Sequence, residues 1–170
     1  MEPRAALIKG SFDLVHYLYS AVVQDYTDES ATFAIPGGMV PTPLAILAHA
    51  LFSEDMMVAE VAQEPFVLES GGFSGKTGIR QPHPRMSPDW HASTFSLDGL
   101  REYADAVFAR TNSFLERATA ADLDREFMSP IGHPTTAGAF LASFGVVHFS
   151  EHIGELSALK GAQGIKGLPF

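Results

Sequence analysis

A chain of 170 residues that is 46% hydrophobic and 18% charged has the length and composition of one folded domain with a substantial core, not of a disordered segment. Its net charge of −9 argues against nucleic acid or an anionic membrane surface as the main partner. Cysteine is absent, which excludes disulfides, thiolate nucleophiles and cysteine-based metal sites, so any metal must be held by His, Asp or Glu.

The N-terminal MEPRAALIKG lacks the basic region and apolar run of a signal peptide. No stretch approaches the roughly 18 uninterrupted apolar residues of a membrane span. A cytoplasmic protein is the default expectation. Pro3 suits a first helical turn, and Leu7, Ile8, Phe12, Val15, Leu18, Tyr19 and Val22 then recur at three and four residues. This predicts an amphipathic helix of about 22 residues. His16 lies on or beside its apolar face; it could turn inward, but a helix-flank position is the simpler reading.

Asp25 to Val40 is acidic and then Pro/Gly-rich, which reads as a loop. Thr42 and Pro43 supply a cap and a first turn for a second helix to about Ala62. His49 interrupts its apolar first half, on the face of Ile46, Phe52, Ser53 and Met56; taken alone it reads as a core histidine. The stretch 63–95 is irregular, with Gly71, Gly72, Gly75, Gly78, Pro82, Pro84 and Pro88, and such long links are lids, binding loops or crossovers. It carries a basic cluster (Lys76, Arg80, Arg85) with His83, Trp90 and His91. Ser70 to Thr77 superficially resembles a phosphate-binding loop, but Ser70 stands at the first glycine position and no strand precedes it, so nucleotide binding is rejected.

Ser96 can cap a third helix from Leu97 to about Ala118, with Leu100, Ala104, Val107, Thr111, Phe114 and Ala118 on one face. A short helical turn around Ala121 to Phe127 follows, then a loop from Ser129 to Thr135 with a solvent-facing His133. A fourth helix spans Ala137 to Lys160 on a stripe of Leu141, Phe144, Val147, Leu156 and Leu159. Gly145 and Gly154 inside it would admit a close neighbour, and the tail GAQGIKGLPF is expected to pack back. No run reads as a convincing strand. The expected class is all-α, a four-helix bundle formed by residues 1–170 as one domain.

His148 and His152 break the stripe of the fourth helix, with Glu155 one turn further on. Residues i and i+4 lie about 40° apart around a helix and roughly 6 Å along it, so both imidazoles can point at one spot. Polar rings in a core stripe need partners. A shared metal ion would satisfy both; the alternatives are neighbouring side chains or a water-filled groove. If the second and fourth helices are neighbours, His49 can join the pair, and three imidazoles leave a coordination position open, as in catalytic sites.

The segments Thr42-Pro-Leu-Ala-Ile-Leu-Ala-His49 and His148-Phe-Ser-Glu-His152-Ile-Gly-Glu-Leu, followed by Lys166-Gly-Leu-Pro, resemble the DinB/YfiT-like metalloenzyme superfamily in order and spacing. The resemblance implies an up-down-down-up bundle with a divalent metal on His49, His148 and His152. The ion would be Zn2+ first, with Ni2+ or Fe2+ also acceptable to imidazole. Helices two and three would then be parallel, and the stretch 63–95 could cover the roughly 30 Å of a 20-residue helix. Family members of known activity include mycothiol- or bacillithiol-using S-transferases and a maleylpyruvate isomerase. The expected function is therefore a metal-dependent enzyme on a small molecule, foremost a thiol S-transferase fed by a low-molecular-weight thiol. The alternatives are a hydrolase on the same site and a non-catalytic, stress-related binding bundle. Glu155 is expected to orient His152 or to act as a base, Glu151 to face solvent, and Arg80 and Arg85 to sit in a solvated loop or hold a substrate carboxylate. A homodimer is compatible with the family and with the apolar helix faces.

Overall fold

Polar caps followed by proline start the first two long helices, as their sequences require. The computed structural model describes residues 1–80 and 94–170. Helix α1 is Pro3–Val23, with the Glu2 carboxylate accepting from the Ala5 amide at 2.8 Å. Helix α2 is Pro43–Ala62, capped by Thr42 and closed by Gln63 in the left-handed region at φ 56°. Helix α3 is Leu97–Arg117, with Ser96 accepting from the Gly99 amide at 3.1 Å. The last long helix, α4, is continuous but not uniform: an α-helical turn Ala137–Phe140, a π-helical segment Leu141–Gly145, then α-helix Val146–Ala162.

Side-chain partners give the directions. Along α1 and α4, Phe12 faces Gly145, Tyr19 lies near Phe149, Tyr26 donates to the Leu156 carbonyl, and Lys160 donates to the Val22 carbonyl. From Phe12 with Gly145 through Tyr19 with Phe149 to Tyr26 with Leu156 the residue numbers rise together, so these helices are parallel. Helices α2 and α3 are parallel too, because Asp55 meets Tyr103 and Arg110 while Glu64 meets Arg117. Helices α1 and α3 are antiparallel, with His16 on Phe108 and Arg101 donating to the Tyr26 carbonyl. The bundle is up-down-down-up, and the connection from α2 to α3 must therefore return along its length. The described part of that connection holds two single helical turns, Val67–Ser70 and Ser74–Thr77. It is pinned to the start of α3: the Ser96 amide donates to the Thr77 carbonyl, and a Cβ on Gly99 would stand 2.1 Å from the Lys76 carbonyl oxygen.

Several expectations are corrected. A two-stranded antiparallel hairpin pairs Glu126–Met128 with Pro134–Thr136, where no strand was expected; three residues are too few to show alternation. The helical turn before it is shorter than expected, Ala120–Asp124. The acidic loop after α1 holds one helical turn, Asp28–Ala31. Leu7 is 75% exposed, because the buried stripe runs through Ala5, Ile8 and Phe12 and a residue one step away points about 100° off it. Val147 is likewise outside the buried stripe of α4, at 53% exposed. Gly145 does admit a close neighbour, since a Cβ there would lie 3.2 Å from the Phe12 ring, but Gly154 faces open space. The tail packs back through Leu168, whose amide donates to Ser157 Oγ, while Phe170 is exposed. Among the described residues no helix is long and apolar enough to cross a membrane.

The core carries two adjacent, fully buried carboxylates on α2. Glu54 receives Thr111 Oγ1 at 2.6 Å and faces His16 Nε2 at 2.9 and 3.1 Å. Asp55 accepts from the Val67 and Leu68 amides, from Tyr103 Oη at 2.6 Å and from Arg110 at 2.9 Å. Asp55 thereby caps the turn that follows α2, and burial together with its charge pushes the Tyr103 phenol well above its ordinary value. Asp55→Ala leaves a mostly buried guanidinium, a buried phenol and two amides without this acceptor. A loss of about 3–5 kcal/mol is expected in urea unfolding, and Asp55→Asn is not expected to rescue it, because its amide nitrogen would face donors in either orientation.

Candidate metal centre

Helix α2 delivers His49 from its buried first half, and α4 delivers His148 and His152 from the α-helical stretch just past the π-helical segment. The three rings meet with centroids 5.2 Å (His49–His148), 4.9 Å (His49–His152) and 4.5 Å (His148–His152) apart. One nitrogen from each lies within 4.8 Å of the others, a group that could hold a metal ion. His49 and His152 are buried and His148 is partly buried.

Glu155 Oε2 lies 2.7 Å from His152 Nδ1. A carboxylate accepts, so Nδ1 carries the ring proton and the Nε2 lone pair turns inward. That Nε2 stands 3.3 Å from His148 Nε2. Two imidazole nitrogens each about 2.0–2.1 Å from a shared tetrahedral ion stand about 3.3 Å apart. His148 Nδ1 is buried with no hydrogen-bond partner among the described residues. The donor set therefore fits a divalent ion: facing lone pairs need a cation or a shared proton between them, and a carboxylate behind one ligand is the usual support for metal-bound histidine.

Electrostatics agrees with the ligand role. Burial first, then the imidazoles of His152 and His148, push His49 down to about 3. Burial and His152 push His148 down to about 4. Both rings are therefore neutral in the folded protein, the form in which imidazole binds a metal.

The other candidates separate clearly. His16, expected on a helix flank, is buried and engaged with Glu54 and stacked on Phe108 with ring centroids 3.7 Å apart; its partner lies 38 residues away, beyond the reach of local spacing. Glu151, His133 and Arg80 are exposed, as expected for the first two. His83, Arg85, Trp90 and His91 lie outside the described residues. Sequence reasoning passed over Glu54 and Asp55; two acidic residues inside the apolar run of α2 were the available signal.

The sequence profile of the DinB superfamily matches residues 11–156. The chain belongs to the DinB superfamily. A search of curated protein sequences finds no significant match. Among solved structures this DinB-superfamily chain is similar to a conserved protein from Enterococcus faecalis, with TM-score 0.75 and 16% identity over 95% of this chain and 99% of that one. It is also similar to a DinB-like protein from Bacillus subtilis, with TM-score 0.66 and 17% identity over 96% of each chain. At these identities the likeness establishes the bundle fold.

The lowered imidazole values fix a pH response of the ion-free protein. The unfolded chain takes up protons at histidine near pH 6.5, while folded His49 and His148 stay neutral to about 3 and about 4. Stability from these groups is complete above pH 6.5 and declines as pH falls toward 4, because the unfolded state binds more protons. With chelator present, the urea midpoint of the parent is expected to fall more steeply between pH 6.5 and 4 than that of His49→Leu or His148→Leu. Parallel profiles would show that the two rings titrate normally.

Proposed function

We propose that this protein is a metal-dependent enzyme that transfers a low-molecular-weight thiol to a small electrophile. The observation that carries the reading is the convergence of three imidazoles from two helices, with His148 and His152 Nε2 at 3.3 Å and Glu155 behind His152. Membership of the DinB superfamily supports it. A divalent ion held by these nitrogens, with zinc, nickel and ferrous iron all compatible with imidazole, would keep a position open and would lower the pKa of a thiol bound there.

The residues divide the work. His49 and His148 are held neutral by burial and need shed no proton to act as ligands. Glu155 fixes the tautomer and ring direction of His152 from a half-exposed position, where its own charge remains in contact with water. The chain has no cysteine, so the sulfur nucleophile must enter as a cosubstrate. In the transfer the thiol sulfur bonds to the electrophilic carbon, the bond from that carbon to its leaving group breaks, and the thiol proton departs with the leaving group.

Untagged protein is expected to carry close to one divalent ion per chain, and the His148→Ala/His152→Ala double variant to lose it while remaining folded by circular dichroism. The loaded parent should conjugate monochlorobimane with at least one thiol of a panel that includes mycothiol and bacillithiol; the double variant should not. Ion binding with ester hydrolysis and no conjugation would replace the reading with metal-dependent hydrolysis, and no ion after reconstitution would end both. Glu155→Gln is expected to weaken ion affinity about 10–100-fold in competition with a chromophoric chelator, with the chelator-treated melting temperature unchanged.

A further inference from the structure

Three aromatic rings stand one helical turn apart on α4: Phe140, Phe144 and His148. Phe140 and Phe144 stack with centroids 5.4 Å apart at 8°, and Phe144 and His148 with centroids 5.3 Å apart at 28°. The last rung of this ladder is a ring of the histidine cluster. The first two rungs, together with Val147 and Ser143, form one wall of a groove of about 410 Å3. Ile131 and Pro134, from the hairpin, form the other. Ile131 and Val147, exposed by 50% and 53%, both face this one groove.

Charge narrows the occupant. The chain carries a net charge of −9, yet among the described residues no Asp, Glu, Lys or Arg lines the groove, whose polar lining is His133 with Ser129, Thr135 and Ser143. An anionic ligand would find no Lys or Arg there to offset the loss of its hydration. A flat uncharged ring would bury against Phe144, Ile131, Pro134 and Val147. The volume lies in the range of small-molecule sites.

We infer that this groove is the subsite for the electrophile, and that it takes an uncharged, flat, aromatic or conjugated molecule, with Phe144, which lines the groove and contacts His148, marking the side nearest the histidine cluster. The assignment of the occupant as electrophile rests on the thiol-transfer reading; the binding preference does not. Naphthol titrated into protein labelled at the Ile and Val methyls is expected to shift Ile131 and Val147 saturably, with or without a bound ion. Naphthoate should bind about tenfold or more weakly, the discrimination expected when a carboxylate must enter a groove without Lys or Arg. Val147→Trp and Ile131→Glu, both at exposed positions, should each weaken naphthol binding about tenfold, retain the parent's ion content, and raise KM for chlorodinitrobenzene more than they lower kcat. Absence of shifts at these two methyls, or equal binding of naphthoate, would overturn the groove assignment even if conjugation is observed. Conjugation with KM unchanged in both variants would overturn it as well. Naphthol binding without conjugation activity would uphold the groove's ligand class and sink the transferase reading alone.

Discussion

Two neighbouring carboxylates inside α2 impose a condition that the remaining helices satisfy. Hydrophobic packing is non-directional and would let four apolar helices slide. Glu54 and Asp55 do not permit sliding, because each must find donors in a fixed place. Glu54 takes them from α1 and α3, through His16 and Thr111. Asp55 takes them from α3 and from the turn after α2. Helix α4 is then set lengthwise against α1 by Tyr26 and Lys160, whose polar groups end on backbone carbonyls of the opposite helix. The position of His49, five residues before Glu54 on the same helix, follows from that framework.

The histidine cluster benefits from where it sits. Its members come from helix interiors, so their directions are set by packing and not by loop conformation. Burial that would be unfavourable for charged imidazole is what keeps His49 and His148 neutral. Because the three histidines come from α2 and α4, anything bound by all three couples those helices and favours the folded state by mass action.

Much of this was legible in the sequence because it is local. Pro3, Thr42-Pro43 and Ser96 mark helix starts through cap chemistry, and the four-residue spacing of His148 and His152 needs only a helix to become a shared site. The meeting with His49 was legible once the α2 and α4 apolar faces were allowed to pack together. What stayed hidden is non-local or too short. His16 could not be placed without knowing that Glu54 would lie opposite it. The hairpin has too few residues for a period. Leu7 has the right spacing on a face whose angular width spacing alone does not give. The π-helical segment leaves no mark at all, since its residues are ordinary helix formers and only the backbone hydrogen bonds reveal it.

That segment has a bearing on how such a chain can change. A π-turn holds one residue more than an α-turn, and each residue in a helix rotates the succeeding ones by about 100°. Leu141–Gly145 therefore acts as a phase shift between two parts of one helix. On one side, Phe140 is in phase with the hairpin; on the other, His148 and His152 are in phase with His49. Loss of a single residue in the segment would restore a regular helix and force one of the two parts to face the wrong way. By the same logic, lineages could remodel the hairpin end of α4 and absorb the change in length here, leaving the histidines aimed as they are.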